Sequence, residues 1–305
     1  MAEREGFEPS IEFPLYTLSK RAPSTTRPSL RGLRGTGFAG RFVRDKFSLT
    51  RASLATRRAG YHQSMSVRYR EHAPPERLRA SVECFWSLAP GEAVPQYPVL
   101  PDGCVDIVYS RSAGPQVVGT MTSVRRFTLE AGQFQIGVRF RPGMAPGFVR
   151  VPGSQTTDRL LSLDDLWGVQ GRQFHERIAN AESAEHCIGL LEAQLADETE
   201  PNAVQKISAY IVDRSGQVRV DDLAFDAGMS ARQLRRIFLE QLGLSPKHFC
   251  RVIRFRHSLP KLRAADRGDW TQVALDCGYY DQAHFINEFR EFSGYTPGEF
   301  ATLPR

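Results

Sequence analysis

The segment ALDCGYYDQAHFINEFREFSGYTPGEF, residues 274–300, decides the fold of the C-terminal third of the chain. A short helix is predicted to end at Gly278, because glycine adopts the left-handed conformation after a helix without a steric penalty. Asp281 predicts the start of a second helix, since its carboxylate can accept from free backbone N–H groups. Phenylalanines at helical spacing, beginning with Phe285 and Phe289, predict the buried face. Helix, glycine turn and capped helix form the layout of a helix-turn-helix unit.

The two ends of this unit carry further signals. Asp269 is predicted to cap its first helix, Trp270–Cys277. Thr296 and Pro297 predict a last short helix, because the missing N–H of proline costs nothing in a first turn.

The same pattern occurs upstream, between residues 220 and 243. A short helix over Val220–Gly228 is followed by Ser230, whose hydroxyl predicts the cap of a helix that ends near Gly243. Leu234 and Phe238 are predicted to face inward. The outer face carries basic and amide side chains, namely Arg232, Gln233, Arg235 and Arg236. Two such units in about 100 residues are more specific than one, since many helical hairpins pass a single test.

A linker helix over residues 246–265 is predicted between the units, and another helix over residues 202–214 precedes the first unit. The buried side of the linker helix is predicted to hold Phe249, Val252, Ile253 and Leu259. Its exposed side is predicted to hold Arg251, Arg254, Arg256 and Lys261. Pro260 lies inside this helix, where proline removes a donor and clashes with a carbonyl at a cost of ~3 kcal/mol. We therefore expect the linker helix to be kinked or shortened.

The composition predicts a globular protein of two domains. The chain has 305 residues, of which 41% are hydrophobic and 24% charged, values that argue against wholesale disorder. It has no run of 18 apolar residues of the kind that crosses a membrane. The five cysteines are scattered and never form a C-x-x-C pair, which favours a reducing compartment, hence the cytoplasm, over a disulfide scaffold.

The net charge of +6 is unevenly distributed. Residues 1–64 carry 12 Lys and Arg against 5 Asp and Glu, whereas residues 201–305 carry 15 against 12. The basic pI therefore reports mostly the N-terminal tail and is weak support for DNA binding. Residues 1–64 have no helical or strand period, so a disordered tail is expected. An artefactual start at Met1 is an alternative, since the globular pattern begins at Met65.

Residues 65–160 predict a β-rich domain, either a barrel or a sandwich. Short apolar runs alternate with Gly and Pro, at Val82–Leu88, Val105–Tyr109, Gln116–Val118, Phe127–Leu129 and Phe134–Phe140. Residues 161–200 predict a helical connector with helices over Leu163–Trp167 and Phe174–Leu195. The expected fold is thus α+β, with a β-rich middle domain followed by an all-α domain at residues 201–305 that holds both helix-turn-helix units.

One polar cluster in the β-rich region is a candidate site. Asp102, Cys104 and Asp106 stand at the head of a predicted strand and could bind a metal or perform acid–base chemistry. The favoured interpretation is structural, with a turn aspartate, a buried cysteine and a solvent-side aspartate, because no histidine set accompanies them. No catalytic residue, metal or cofactor is predicted, although the mouth of a β-barrel could hold a small-molecule effector.

Residues 220–303 resemble the DNA-binding domain of AraC/XylS-type transcriptional regulators. The resemblance is carried by Ala274, Gly278, Tyr279, Asp281, Gln282, His284, Phe285, Phe289, Gly294, Thr296, Pro297 and Phe300, and by Leu223, Ala224, Gly228, Met229, Ser230, Leu234, Arg236, Phe238, Gly243, Ser245 and Pro246. The stretches at residues 101–107 and 140–143 resemble, more weakly, the variable N-terminal domains of one group of these regulators.

The resemblance implies that the second helices, at about 230–243 and 281–293, enter successive major grooves of double-stranded DNA. The residues implied in DNA binding are Ser230, Ala231, Arg232, Gln233, Arg235, Arg236, Asp281, Gln282, Ala283, His284 and Asn287. Asn287 departs from the family, since many relatives carry Arg there. A solvated helix face is the alternative for each exposed Arg, and a structural role for His284.

The predicted function is sequence-specific regulation of transcription. RNA polymerase, a small-molecule effector and a second copy of the chain are considered as further partners, and a membrane is not. An enzyme whose residues 65–160 catalyse, with the helical domain as an appendage, is the alternative. A non-specific architectural DNA binder is a third hypothesis, disfavoured because such binding needs no pair of unequal reading helices.

Overall fold

The computed structural model describes residues 67–195, 201–264 and 270–303. The first range is called the middle module here, and the other two together form the C-terminal module. The predicted tail at residues 1–64 and the predicted cap Asp269 lie outside the described residues.

The middle module is built on two antiparallel sheets. The larger has six strands in the order β1-β2-β7-β4-β5-β8, and the smaller pairs β3 with β6. The strands are β1 Val67–His72, β2 Val82–Pro90, β3 Val94–Val99, β4 Val105–Ser110, β5 Gly114–Val118, β6 Arg125–Leu129, β7 Gln135–Phe140 and β8 Leu160–Ser162. A short 3-10 helix, Glu76–Leu78, separates β1 from β2.

Both faces of the six-stranded sheet are covered. One face packs against helices through Phe174, Ile178 and Leu191, all fully buried. The other face meets the small sheet through a cluster that includes Trp86 and Tyr97. A β-rich region followed by helices confirms the predicted fold class.

Five of the eight strands were expected from the sequence, with ends that differ by one or two residues. The strands β1, β3 and β8 were not expected. β3 contains two prolines, Pro95 and Pro98, which argue against a strand from sequence alone. β8 has only three residues, too few to show a period.

Twelve helices lie in the described residues. In the middle module they are α1 Pro146–Val149, α2 Gly153–Thr156, α3 Leu163–Trp167, α4 Val169–Ala179 and α5 Ala184–Gln194. In the C-terminal module they are α6 Ala203–Asp213, α7 Val220–Asp226, α8 Ala231–Gln241, α9 Pro246–Ala264, α10 Trp270–Asp276, α11 Gln282–Ser293 and α12 Pro297–Thr302.

The single helix expected over Phe174–Leu195 is wrong, because the chain forms α4 and α5 there with a break between them. Asn180 ends α4, and the Ser183 hydroxyl accepts from the backbone N–H of His186 to cap α5. The apolar period continues across this break, which is why periodicity alone did not reveal it.

The C-terminal module contains both predicted helix-turn-helix units. The first helix of each unit, α7 or α10, is followed by a glycine with a left-handed backbone. These glycines are Gly228 at φ 66° and Gly278 at φ 77°. One apolar cluster, which includes Phe238, Phe249 and Phe289, joins both units to the linker helix α9.

The linker helix differs from its prediction in two respects. α9 runs to Ala264, so Pro260 does not shorten it. The side chain of Pro260 lies on the exposed surface of the helix. The arginines expected on the exposed side are instead engaged: Arg256 is only 9% exposed, and Arg251 and Arg254 bind a carboxylate of α11.

Candidate nucleic-acid interface

The first candidate reading helix, α8, begins with a capping box. The Ser230 hydroxyl accepts from the backbone N–H of Gln233 at 3.2 Å, and the Gln233 side-chain oxygen accepts from the backbone N–H of Ser230 at 2.9 Å. Two free donors of the first turn are thereby satisfied. The amide oxygen of Gln233 is engaged in this cap, which leaves the arginines as the exposed long side chains of the first turns.

Three arginines of α8 face solvent. Arg232, Arg235 and Arg236 are exposed and line one open surface depression together with Leu239. Arg236 lies 3.6 Å from the carboxylate of Glu240, an exposed pair that contributes little to stability. Among the described residues no carboxylate pairs with Arg232 or Arg235. The outer face of α8 therefore exposes guanidinium groups to solvent.

The second candidate reading helix, α11, is capped in a similar way. The Asp281 carboxylate accepts from the backbone N–H of His284 at 2.7 Å. Ala283, His284 and Asn287 are exposed. Gln282 is half-exposed, and its amide oxygen accepts from the Thr271 hydroxyl of α10 at 2.9 Å.

A buried carboxylate under α11 ties this helix to the linker. Glu288 is 3% exposed and accepts from Arg251 Nε at 2.7 Å and from Arg254 at 3.3 Å, both on α9. His284 Nε2 lies 3.6 Å from the same carboxylate. Arg251 also binds the carboxylate of Glu291. Sequence reasoning missed Glu288, because a glutamate one turn after an exposed histidine is normally a solvated residue.

The polar cluster of the middle module is placed differently from its prediction. Asp102 accepts from the backbone N–H of Cys104 at 2.9 Å, as a turn aspartate should, and Cys104 is buried. Asp106 was expected on the solvent side, which is wrong. It is 9% exposed and accepts from Trp86 Nε1 and from Arg139. Arg139 supplies the positive charge that burial of this carboxylate requires.

Cys104 is not suited to act as a nucleophile. Burial raises the pKa of its thiol well above the ordinary value, and the carboxylate of Asp102 raises it further. A reactive cysteine needs the opposite shift, since the thiolate is the nucleophile. Within the described ranges, no three His, Cys, Asp or Glu side chains are grouped so that they could hold a metal ion. None of the described helices is long and apolar enough to cross a membrane.

Comparison with known families assigns the two modules separately. Residues 223–302 match a family described as a helix-turn-helix domain. These residues form a helix-turn-helix domain of AraC type. Residues 70–162 match a family described as a domain of unknown function, DUF6597.

The AraC-type domain is also similar to parts of curated regulators. The HTH-type transcriptional regulator ArgR of Pseudomonas aeruginosa is 27% identical over 99 residues, which are 32% of this chain and 30% of ArgR. The HTH-type transcriptional activator RhaS of Klebsiella pneumoniae is 28% identical over 111 residues, 35% of this chain and 40% of RhaS. The matches thus span less than half the length of either relative.

Among solved structures, a probable AraC family transcriptional regulator from Rhodopseudomonas palustris CGA009 is 27% identical. The alignment covers 31% of this chain and 90% of that chain, with a TM-score of 0.29.

Proposed function

We propose that this chain is a sequence-specific DNA-binding regulator of transcription that places α8 and α11 in successive major grooves. The observation that carries the proposal is the pair of capped second helices in an AraC-type domain, each with an exposed polar row. α9 has 19 residues, which span about 28 Å at ~1.5 Å per residue. That length is comparable to the ~34 Å repeat of B-DNA, which separates successive major grooves.

The exposed side chains suit different bases. Arg232, Arg235 and Arg236 can donate two parallel hydrogen bonds to guanine O6 and N7. Asn287 suits adenine, and Ala283 can contact a thymine methyl group. The free backbone N–H groups at the starts of α8 and α11 can hold phosphates. The two reading rows are therefore unequal, and we expect an asymmetric site.

Selection of DNA from a random pool with the purified full-length protein tests this proposal. The expected result is one enriched site of roughly 20 bp with two unequal blocks about one helical turn apart. If no sequence is enriched and binding falls steeply with salt for every sequence alike, the protein is a non-specific binder.

The enzyme alternative has less support. The two curated relatives described above are named as a transcriptional regulator and a transcriptional activator, and burial keeps the Cys104 thiol protonated. RNA polymerase, a second copy of the chain and a small-molecule effector stay predicted partners.

A further inference from the structure

A cavity lies between the middle module and the linker helix α9. It has a volume of about 120 Å³, and its walls are mostly apolar and aromatic, with Trp86, Tyr97 and Phe127 from the two sheets and Leu259 from α9. Pockets of this composition, at the boundary of two domains, are the usual sites for small molecules. Because α9 supplies part of the wall, an occupant would touch the linker between the two reading helices directly.

Four charged side chains close one end of the cavity, and they neutralise one another. Asp106 and Asp102 lie 3.0 Å and 3.3 Å from the guanidinium of Arg139, and Asp102 lies 3.8 Å from Arg256 of α9. All four are lining residues. A ligand with a net charge would enter a buried site whose two negative and two positive groups are already balanced. The charge of such a ligand would then be buried without a partner, which is costly. This end of the cavity therefore favours an uncharged ligand with a hydrogen-bonding group.

The segment that joins β5 to β6, residues 119–124, connects this cavity to α8. Met121 lines the cavity and is 5% exposed. Its neighbour Thr120 is fully buried on the other side, where its hydroxyl donates to the carbonyl of Leu242 at 2.8 Å. Leu242 ends α8. Because Met121 and Thr120 are consecutive in the chain, we expect displacement of Met121 by an occupant to move the Thr120 hydroxyl as well, which holds the end of α8.

The same segment reaches the end of α11. A Cβ placed on Gly294, which ends that helix, would lie 3.4 Å from Val124 Cγ1 and 3.6 Å from an Arg126 nitrogen. Val124 belongs to the segment, and Arg126 follows it in β6. One short stretch of the middle module thus lines the cavity, bonds to the C-terminal end of α8 and passes close to the C-terminal end of α11.

We propose that the cavity binds an uncharged, mainly aromatic small molecule and that its occupancy changes DNA affinity through residues 119–124 and Arg256. This proposal rests on the DNA-binding function above and adds the ligand class and the route of coupling. The ligand can change DNA affinity only if it binds more tightly to one arrangement of the reading helices than to another. DNA then changes the affinity for the ligand by the same factor.

Calorimetry with three compounds of one ring system tests the ligand class. Indole-3-acetamide is neutral, indole-3-acetate carries a negative charge and tryptamine a positive charge at pH 7. We expect the neutral amide to bind at least about tenfold more tightly than either ion, because only the ions bury an unpaired charge. Equal or tighter binding of an ion, or binding of none of the three, overturns the proposal.

A cavity-filling variant tests the location. Val108 lines the cavity from β4, and Val108→Phe should abolish binding of indole-3-acetamide while the protein still binds its selected DNA. Leu88→Phe, on β2, fills the same cavity independently. If either variant retains DNA binding and also binds the amide with unchanged affinity, the ligand lies elsewhere and the proposal fails.

Coupling is tested by measuring DNA affinity with and without saturating indole-3-acetamide. We expect the Kd for DNA to change by about fivefold or more in the unmodified protein and by less than about twofold in Thr120→Val. Thr122→Val is the matched control, because the Thr122 hydroxyl donates within the middle module, to Asp158 at 2.6 Å. Equal ligand effects in all three proteins contradict the route through Thr120. Absence of any DNA binding overturns the regulator function instead, and the calorimetry remains interpretable without it.

Discussion

At the scale of the residue, Arg235 shows how the proposed function depends on single side chains. Its guanidinium is exposed on the outer face of α8, and no carboxylate of the described residues pairs with it. Arg235→Ala should reduce the preference within one block of the site by ~1–3 kcal/mol, as expected for loss of a bidentate base contact. Competition between selected and mutated sites measures this, with exposed Arg172→Ala in the middle module as the control. A uniform loss over all sequences would make Arg235 a phosphate contact.

His248 on α9 predicts a dependence of stability on pH. Burial lowers the pKa of its imidazole, and Arg251 lowers it further, against the opposing effects of Glu291, Asp158 and Glu288. The unfolded chain therefore binds a proton more readily than the folded one. This contribution to stability is present above the unfolded pKa of about 6.5 and is lost as the pH falls through it.

The measurement is urea unfolding at pH values from 7.5 to 5.5, for the unmodified protein and His248→Gln. The free energy of unfolding should fall with acidification in both, and less in the variant. A decline of identical steepness would show that His248 does not contribute to it.

At the scale of the element, Pro260 lies inside α9 without ending it. The helix continues four residues beyond it, so the missing backbone donor is tolerated within an exposed turn. Pro260→Ala should raise the free energy of unfolding by ~1–3 kcal/mol, since it restores a helical hydrogen bond and removes a clash. It should also change DNA affinity, because α9 sets one reading helix relative to the other. An unchanged binding isotherm would show that the spacing does not depend on this proline.

The contact between α9 and α11 depends on Glu288. Glu288→Ala leaves the guanidinium groups of Arg251 and Arg254 without their buried partner, and we expect a loss of about 3 kcal/mol in unfolding free energy. Glu291→Ala is a matched control on the same helix, because Glu291 also binds Arg251 but its side chain is 49% exposed. It should cost less than ~1 kcal/mol. Similar losses in both variants would mean that the depth of Glu288 is unimportant.

At the scale of the whole molecule, we expect the two modules to unfold together, because they are closely packed. A Cβ placed on Gly153 of α2 would lie 2.6 Å from the backbone nitrogen of Gly243, just beyond α8. Gly153→Ala must therefore push the modules apart, at an expected cost of ~1–3 kcal/mol. We expect one thermal transition to become two, recorded by calorimetry. Gly147→Ala in α1 is the control, since its Cβ meets no atom within 4 Å. One unbroken transition in both variants would show that the interface is pliable.

The sequence by itself determined the elements of the C-terminal module. Each of these elements depends on residues within one or two turns of each other, so local chemistry suffices to predict it. The signals are the caps at Ser230 and Asp281, the left-handed glycines Gly228 and Gly278, and the apolar period. The strand β3 and the break between α4 and α5 were missed because proline and a continuous apolar period are ambiguous without their neighbours in space.

Only the tertiary structure decided the partners of the buried charges. Asp106 acquires Arg139 from another strand, and Glu288 acquires Arg251 from another helix. A residue that stays charged when buried is normally paired with an opposite charge, and that partner can stand anywhere along the chain. The cavity between the modules has the same origin, since strands and α9 each supply one wall. Its position follows from packing, which no local pattern encodes.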